Sequence, residues 1–111
     1  MNPKGTPIER VTALVERAIT DEVGRHAKEK FWVTHYGANN IHPKHLVYWI
    51  VVGSDQEKRR LEADSTLMAV LRNLLMKYDY PIEGRDWVHF GFESQETVDR
   101  ESDGNFYHHW K

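Results

Sequence analysis

The fold is decided by one stretch, His45–Gly53, which reads His-Leu-Val-Tyr-Trp-Ile-Val-Val-Gly. It is too short to span a membrane and too uninterrupted for a strand with one solvent-exposed face. Its β-branched and aromatic residues favour a strand. Pro43 lies before it, and Gly53-Ser54-Asp55 supplies turn residues after it. The stretch therefore predicts the central strand of a sheet that is covered on both faces.

A helix is predicted near the start of the chain. Thr6 is a suitable N-cap, Pro7 suits the first helical position, and Glu9 lies three residues after the cap. Apolar residues then recur at helical spacing until Gly24, which disfavours continuation, or until about Ala27. The stripe consists of Ile8, Val11, Val15, Ala18, Ile19 and Val23, with Leu14 at its edge. This pattern is typical of a helix that packs one side on a core.

A second helix is predicted over about residues 66–79, and Tyr80-Pro81 ends it. Its apolar stripe consists of Leu67, Val70, Leu71, Leu74, Leu75 and Tyr78. The charged segment 54–64 precedes it and begins with Ser54-x-x-Glu57, which resembles a capping box. That segment is consistent with either a helical extension or a charged loop.

Three further segments are predicted to form strands. Phe31–Tyr36 is β-prone and turn residues follow it, so we expect it to pair antiparallel with the central strand. Trp87–Phe92 alternates between two faces. Its core-facing set is Val88, Phe90 and Phe92, and its opposite set is Trp87, His89 and Gly91. Phe106–Trp110 is predicted to be an edge strand after an acidic loop at 93–105.

These elements predict one domain, residues 1–111, with the order α-β-β-α-β-β. Two helices and a mostly antiparallel four-stranded sheet indicate an α+β fold, a two-layer sandwich with both helices on one face. The formal charge of −2 argues against general nucleic-acid binding. No cysteine is present, so disulfides and thiolate-bound zinc are excluded. No apolar run resembles a membrane helix or a signal peptide, so we expect a cytoplasmic protein without membrane contact.

The face of the sheet that the helices leave uncovered is predicted to be aromatic, because most aromatic residues fall in the four predicted strands. The candidates for this second face are Trp32, Trp49, Trp87, His89 and Tyr107. Three explanations remain open. The chain's own loops could cover it as a second small core, a protein partner or second copy could bind it, or it could hold a small molecule or single-stranded nucleic acid by stacking.

The sequence gives little indication of a metal-binding, catalytic or phosphate-binding site. His42, His45 and His89 lie in or beside predicted strands and are the only metal-ligand candidates worth naming, without a carboxylate at matched spacing. None of the serines lies in a Gly-x-Ser-x-Gly elbow. Glycine-rich phosphate-binding loops are also missing. We therefore expect no cofactor.

The sequence favours a non-enzymatic protein-binding or self-associating module that uses the aromatic second face. The acidic segment 96–103 raises the further hypothesis of a stoichiometric inhibitor that presents negative charge to a basic partner. The alternative is a small-molecule or metal-binding protein, or an enzyme, that uses His42, His45 and His89.

Overall fold

The computed structural model describes residues 7–110, apart from the side chain of Tyr107. Within this range the chain forms five α-helices and three strands. In chain order these are α1 (Pro7–Gly24), β1 (Phe31–Tyr36), β2 (Val47–Val52), α2 (Asp55–Glu62), α3 (Ser65–Lys77), β3 (His89–Ser94), α4 (Gln95–Ser102) and α5 (Phe106–His109). Two short 3-10 helices, Pro43–His45 and Ile82–Trp87, precede β2 and β3.

The sheet has three strands in the order β1-β2-β3. β1 and β2 are antiparallel, whereas β2 and β3 are parallel. The α+β class is confirmed, and so is β2 as the central strand. The predicted four-stranded, mostly antiparallel sheet is wrong. Because α2 and α3 connect β2 to β3 as a crossover, the chain returns to the same end of the sheet and the next strand runs parallel.

The main core lies between one face of the sheet and three helices. From α1 it includes Val15, Ile19 and Val23, and from α2 it includes Leu61. Most of the remaining buried members come from α3 and from the sheet, namely Leu67, Leu71, Leu74, Leu75, Tyr48, Ile50, Val52, Phe90 and Phe92, and Leu46, Tyr80 and Val88 come from the connecting segments. Val88, Phe90 and Phe92 face this core, as predicted from their alternation. Leu14, at the edge of the predicted stripe, is 47% exposed.

A buried tyrosine fixes α1 on the sheet. The Tyr48 hydroxyl donates a hydrogen bond of 2.7 Å to the carbonyl of Thr12. Burial raises the pKa of Tyr48 well above its usual range, with Glu16 and Tyr80 adding to the effect. The hydroxyl therefore stays protonated and remains a donor to the helix backbone.

The predicted edge strand at Phe106–Trp110 is wrong, because these residues form α5 and the turn after it. The preceding Asp-Gly-Asn is a junction between two helices. Asp103 and Gly104 adopt positive φ values of 51° and 80°, which end α4. The Asn105 side chain then accepts a hydrogen bond from the His108 N–H and caps α5. Local capping outweighs the strand preference of the aromatic residues here.

The segments at 54–64 and 93–105 are also more ordered than the sequence indicated. The Ser54 hydroxyl accepts from the Glu57 N–H, as the capping-box pattern suggested, and begins α2. Ser94 accepts from the Thr97 N–H in the same way and begins α4. The predicted acidic loop is therefore largely helix. The proposed cap of α1, Thr6, lies outside the described residues.

Candidate functional site

The second face of the sheet consists of three rows of residues that the strand register places side by side. The first row is Trp32, Val51 and Glu93, the second is Thr34, Trp49 and Gly91, and the third is Tyr36, Val47 and His89. Partners in register share a face of the sheet. Trp32, Trp49 and His89, three of the residues predicted for this face, therefore lie on it together. Trp49 and His89 are in contact, with ring centroids 5.5 Å apart.

The C-terminal segment of the chain covers part of this face. The Trp110 ring stacks on Trp49, with ring centroids 5.1 Å apart and an interplanar angle of 12°. Phe106 meets Trp32 edge-on at 5.1 Å. Tyr36 is 6.1 Å from Trp110 and also accepts a hydrogen bond from the Trp49 indole. Part of the second face is thus a small aromatic core between the sheet and the segment Phe106–Trp110, whereas the first of the three explanations expected loops 37–44 and 93–105 to cover it.

The C-terminal segment covers the second face of the sheet only in part. Trp32 and Tyr36 belong to the aromatic cluster but keep 43% and 42% of their surface exposed. Trp87 ends the 3-10 helix that leads into β3 and is 69% exposed, so it lies beside the sheet rather than in a strand. The predicted role of Tyr107 concerns a side chain outside the described residues.

Glu93 attaches α5 to the sheet. Its carboxylate is only 8% exposed and accepts hydrogen bonds from Lys58 at 3.0 Å and from His109 Nε2 at 2.8 Å. Burial alone would raise the pKa of Glu93, but the bonds from His109, the Ser94 N–H and Lys58 outweigh it, so the pKa is lowered. The network joins β3, α2 and α5 through one buried negative charge.

The same network resembles a nucleophilic triad in its connectivity. Ser102 Oγ lies 3.0 Å from His109 Nδ1, and His109 Nε2 contacts Glu93. A carboxylate only accepts, so Nε2 of His109 carries a proton and donates a hydrogen bond to Glu93. However, Lys58 already balances the charge of Glu93. The geometry therefore supports attachment of α5 to the sheet better than activation of Ser102.

The three histidines proposed as metal ligands are only partly brought together. The rings of His42 and His45 lie 6.1 Å apart at the 3-10 helix before β2. His42 Nδ1 accepts a hydrogen bond from the Lys44 N–H. His89 instead packs against Trp49. Across residues 7–110, no group of three or more His, Asp or Glu side chains is arranged to hold a metal ion.

Two helices begin side by side at the carboxyl ends of the parallel strands β2 and β3, where many α/β proteins bind ligands. Here the chain's own carboxylates occupy these positions. Glu29 accepts from the N–H and hydroxyl of Ser54, and Glu96 accepts from the Asp55 N–H at 2.7 Å. The start of α2 is thus stabilised by carboxylates of the chain itself.

Asp55 links α2 to α4. Its carboxylate accepts hydrogen bonds from the hydroxyls of Ser94 and Thr97 and from Arg100 at 3.0 Å. The Ser94 and Thr97 bonds, followed by Arg100, hold the pKa of Asp55 well below its usual range, although burial opposes this. The carboxylate is therefore ionised over the whole range in which the protein is expected to be folded.

Loss of the Asp55 charge should destabilise the protein. The pKa of Asp55 is lower in the folded state than in the unfolded state, where it is about 3.9. The ionised carboxylate therefore stabilises the folded protein fully above the unfolded pKa, and this stabilisation is lost as the pH falls towards the folded pKa. We expect Asp55→Asn to lower the urea midpoint at pH 7 and to reduce the fall in stability from pH 5 to pH 3. Urea unfolding at these pH values measures both. A variant whose stability follows the wild-type pH curve unchanged would contradict this role.

The outer surface of α4 is acidic. Glu96, Asp99 and Glu101 are exposed, and Asp103 follows at the end of the helix. Arg100, the one basic residue of α4, is paired with Asp55. Since α4 leads directly into α5, this acidic surface lies beside the helix that packs on the aromatic face.

Sequence reasoning missed Glu93, His109 and Phe106 as parts of the site, and it offered Trp110 only as an alternative to Tyr107. Ser94-x-x-Thr97 and Asn105, as cap residues, were the available signals that 95–109 is helical. Once helical, the segment can bring His109 and Trp110 back over the sheet.

Comparison with known proteins adds no identity or function. No family model, curated protein or solved structure matches the chain. Across the described residues, no helix has the length and apolar character needed to cross a membrane.

Proposed function

We propose that the protein is a protein-binding module, without catalysis of its own, that uses the aromatic second face of its sheet. The observation that carries the proposal is the exposure of Trp32 and Tyr36 within an otherwise packed aromatic cluster, with Trp87 more exposed still. Large aromatic side chains that remain accessible are the residues that contribute most to interface energy. Trp32 and Trp87 would be the principal anchors, and Trp49 and His89 lie on the same face of the sheet as Trp32.

The charge of the neighbouring surface supports a basic partner. Glu96, Asp99 and Glu101 are exposed and place negative charge on α4, the helix that leads into α5. An apolar centre beside a charged rim is the usual anatomy of a specific interface, and the rim accelerates association with an oppositely charged partner. A stoichiometric inhibitor that blocks a basic site is the form of the proposal that uses both surfaces.

The alternative proposal is small-molecule binding. A groove beside the outer strand β3 is lined by Trp49, His89, Gly91, Lys58 and Glu62. An aromatic floor with a few charged groups suits a small ligand. Among the described residues, no set of side chains at this groove is arranged to bind a metal ion. Small-molecule binding is therefore the second candidate function.

The proposal predicts a selective loss of binding in Trp87→Ala. Because Trp87 is 69% exposed, its removal should leave the fold intact. The free energy of binding to the partner should become less favourable by about 1 kcal/mol or more. The measurement is quantitative affinity capture from an extract of the native cells, with the captured protein identified and titrated after purification.

Leu14→Ala is the matched control, since Leu14 is also a large exposed apolar residue but lies on α1. The control should capture the partner as the wild type does. Equal capture by Trp87→Ala and Leu14→Ala would contradict the proposed surface. Unfolding of Trp87→Ala would show that Trp87 is part of the core instead.

A further inference from the structure

β1 is an outer strand whose second edge has no strand partner within the described residues. Natural proteins commonly protect such an edge with lysine, proline or an inward-pointing charge. β1 reads Phe-Trp-Val-Thr-His-Tyr and contains none of these. Its histidine, His35, pairs with Glu16 of α1, with 2.5 Å between Nδ1 of His35 and Oε1 of Glu16. The edge is therefore open to pairing with another strand.

The sequence of β1 is complementary to itself in one antiparallel register. Two strands related by a twofold axis through Thr34 place Thr34 opposite Thr34 and Trp32 opposite Tyr36, twice. All three residues lie on the second face of the sheet. Threonine pairs and aromatic pairs are among the favourable cross-strand neighbours, and no like charges on the strands face each other.

We propose that a second copy of this chain pairs with β1 in this register, which joins two three-stranded sheets into one continuous sheet. The inference rests on the proposed protein-binding function and makes a second copy of this chain the partner at the β1 edge. It explains why Trp32 and Tyr36 remain 43% and 42% exposed although they belong to a packed cluster. In the dimer each would cover the other across the twofold axis. A symmetric, isologous contact of this kind is the commonest route to a homodimer.

The register can be tested by a disulfide, because the chain has no cysteine of its own. Directly opposed residues of an antiparallel pair have Cα atoms about 4.5 or 5.5 Å apart, and disulfides span about 4.4–6.8 Å. Thr34→Cys should therefore form a disulfide-linked dimer under mild oxidation. Thr66→Cys, an exposed position on α3, is the matched control and should remain monomeric. Non-reducing gels follow the cross-link, and circular dichroism of the reduced variants confirms their fold.

Wild-type protein should also show a reversible monomer–dimer equilibrium in sedimentation experiments. Cross-linking of Thr34→Cys no faster than that of Thr66→Cys would overturn the pairing, and so would a wild type that stays monomeric at every concentration. Either result leaves the proposed function standing if Trp87→Ala still loses a captured partner. A third outcome is also possible, in which Trp87→Ala captures partners as the wild type does and Thr34→Cys cross-links rapidly. That outcome would support the dimer and contradict the proposed function.

Discussion

Glu93→Ala should lower the free energy of unfolding by about 3 kcal/mol, because removal of one member of a buried ion pair leaves its partners uncompensated. Lys58 and His109 would both lose their acceptor on β3. The effect should fall at the lower end of the range for such changes, since the Lys58 side chain is 24% exposed. Urea unfolding measures the loss.

The same substitution should release α5. Without the Glu93 carboxylate, α5 and Trp110 are held on the sheet by ring contacts such as Trp110 on Trp49 and Phe106 on Trp32, so the near-ultraviolet circular dichroism of the tryptophans should weaken. Glu101→Ala, which removes an exposed carboxylate from α4, is the matched control and should change neither signal. Equal stability of the two variants would show that the Glu93 network does not anchor α5.

Gly91→Val should disrupt the aromatic face from below. A Cβ atom at position 91 would lie 2.4 Å from Cζ3 of Trp49, so the indole must move. That ring contacts both Trp110 and His89, and its displacement disturbs the cluster. Overpacking of this kind costs about 1–3 kcal/mol. We expect reduced stability in urea unfolding and an altered near-ultraviolet spectrum.

Gly24→Ala is the control for the glycine substitution. A Cβ atom there meets only the Phe31 ring, at 3.9 Å, which is ordinary contact. Its stability should equal or exceed that of the wild type, because alanine favours a helix. If Gly91→Val retains the wild-type stability and spectrum, Trp49 does not depend on the glycine beneath it.

The sequence predicts the main core well because its signals are periodic. The stripes that contain Val15, Ile19 and Val23 in α1 and Leu67, Leu71 and Leu74 in α3 are buried as expected. The apolar run at 45–53 contains the central strand, and its residues face helices on one side and aromatic residues on the other. Hydrophobic periodicity therefore identifies the elements that bury large areas.

The arrangement of strands could not be predicted from the same signals. The charged segment 54–64 is consistent with either a helix or a loop on sequence alone, and it contains α2, which with α3 forms the crossover between β2 and the parallel β3. The direction of strand pairing depends on the path of the connecting segment rather than on the residues of the strand. The predicted antiparallel arrangement was therefore wrong at β3.

The C-terminal error has a different cause. Phe106–Trp110 consists of aromatic and histidine residues whose strand preference depends strongly on context. Two left-handed residues and the Asn105 cap start a helix there instead. The sequence therefore predicts one part of the candidate site and not the other. The aromatic sheet face and three of its residues follow from the sequence, whereas the α5 cover and its Glu93–His109 attachment depend on tertiary contacts.

The central claim is that partners bind the second face and the acidic surface beside it. Amide hydrogen exchange of the complex captured from native cells, compared with the free protein, tests this most directly. We expect added protection in β1, in Gln95–Ser102 and in Phe106–His109, with the exposed side of α1 around Leu14 unchanged. Protection confined to α1 and α3, with β1, α4 and α5 exchanging as in the free protein, would contradict the account.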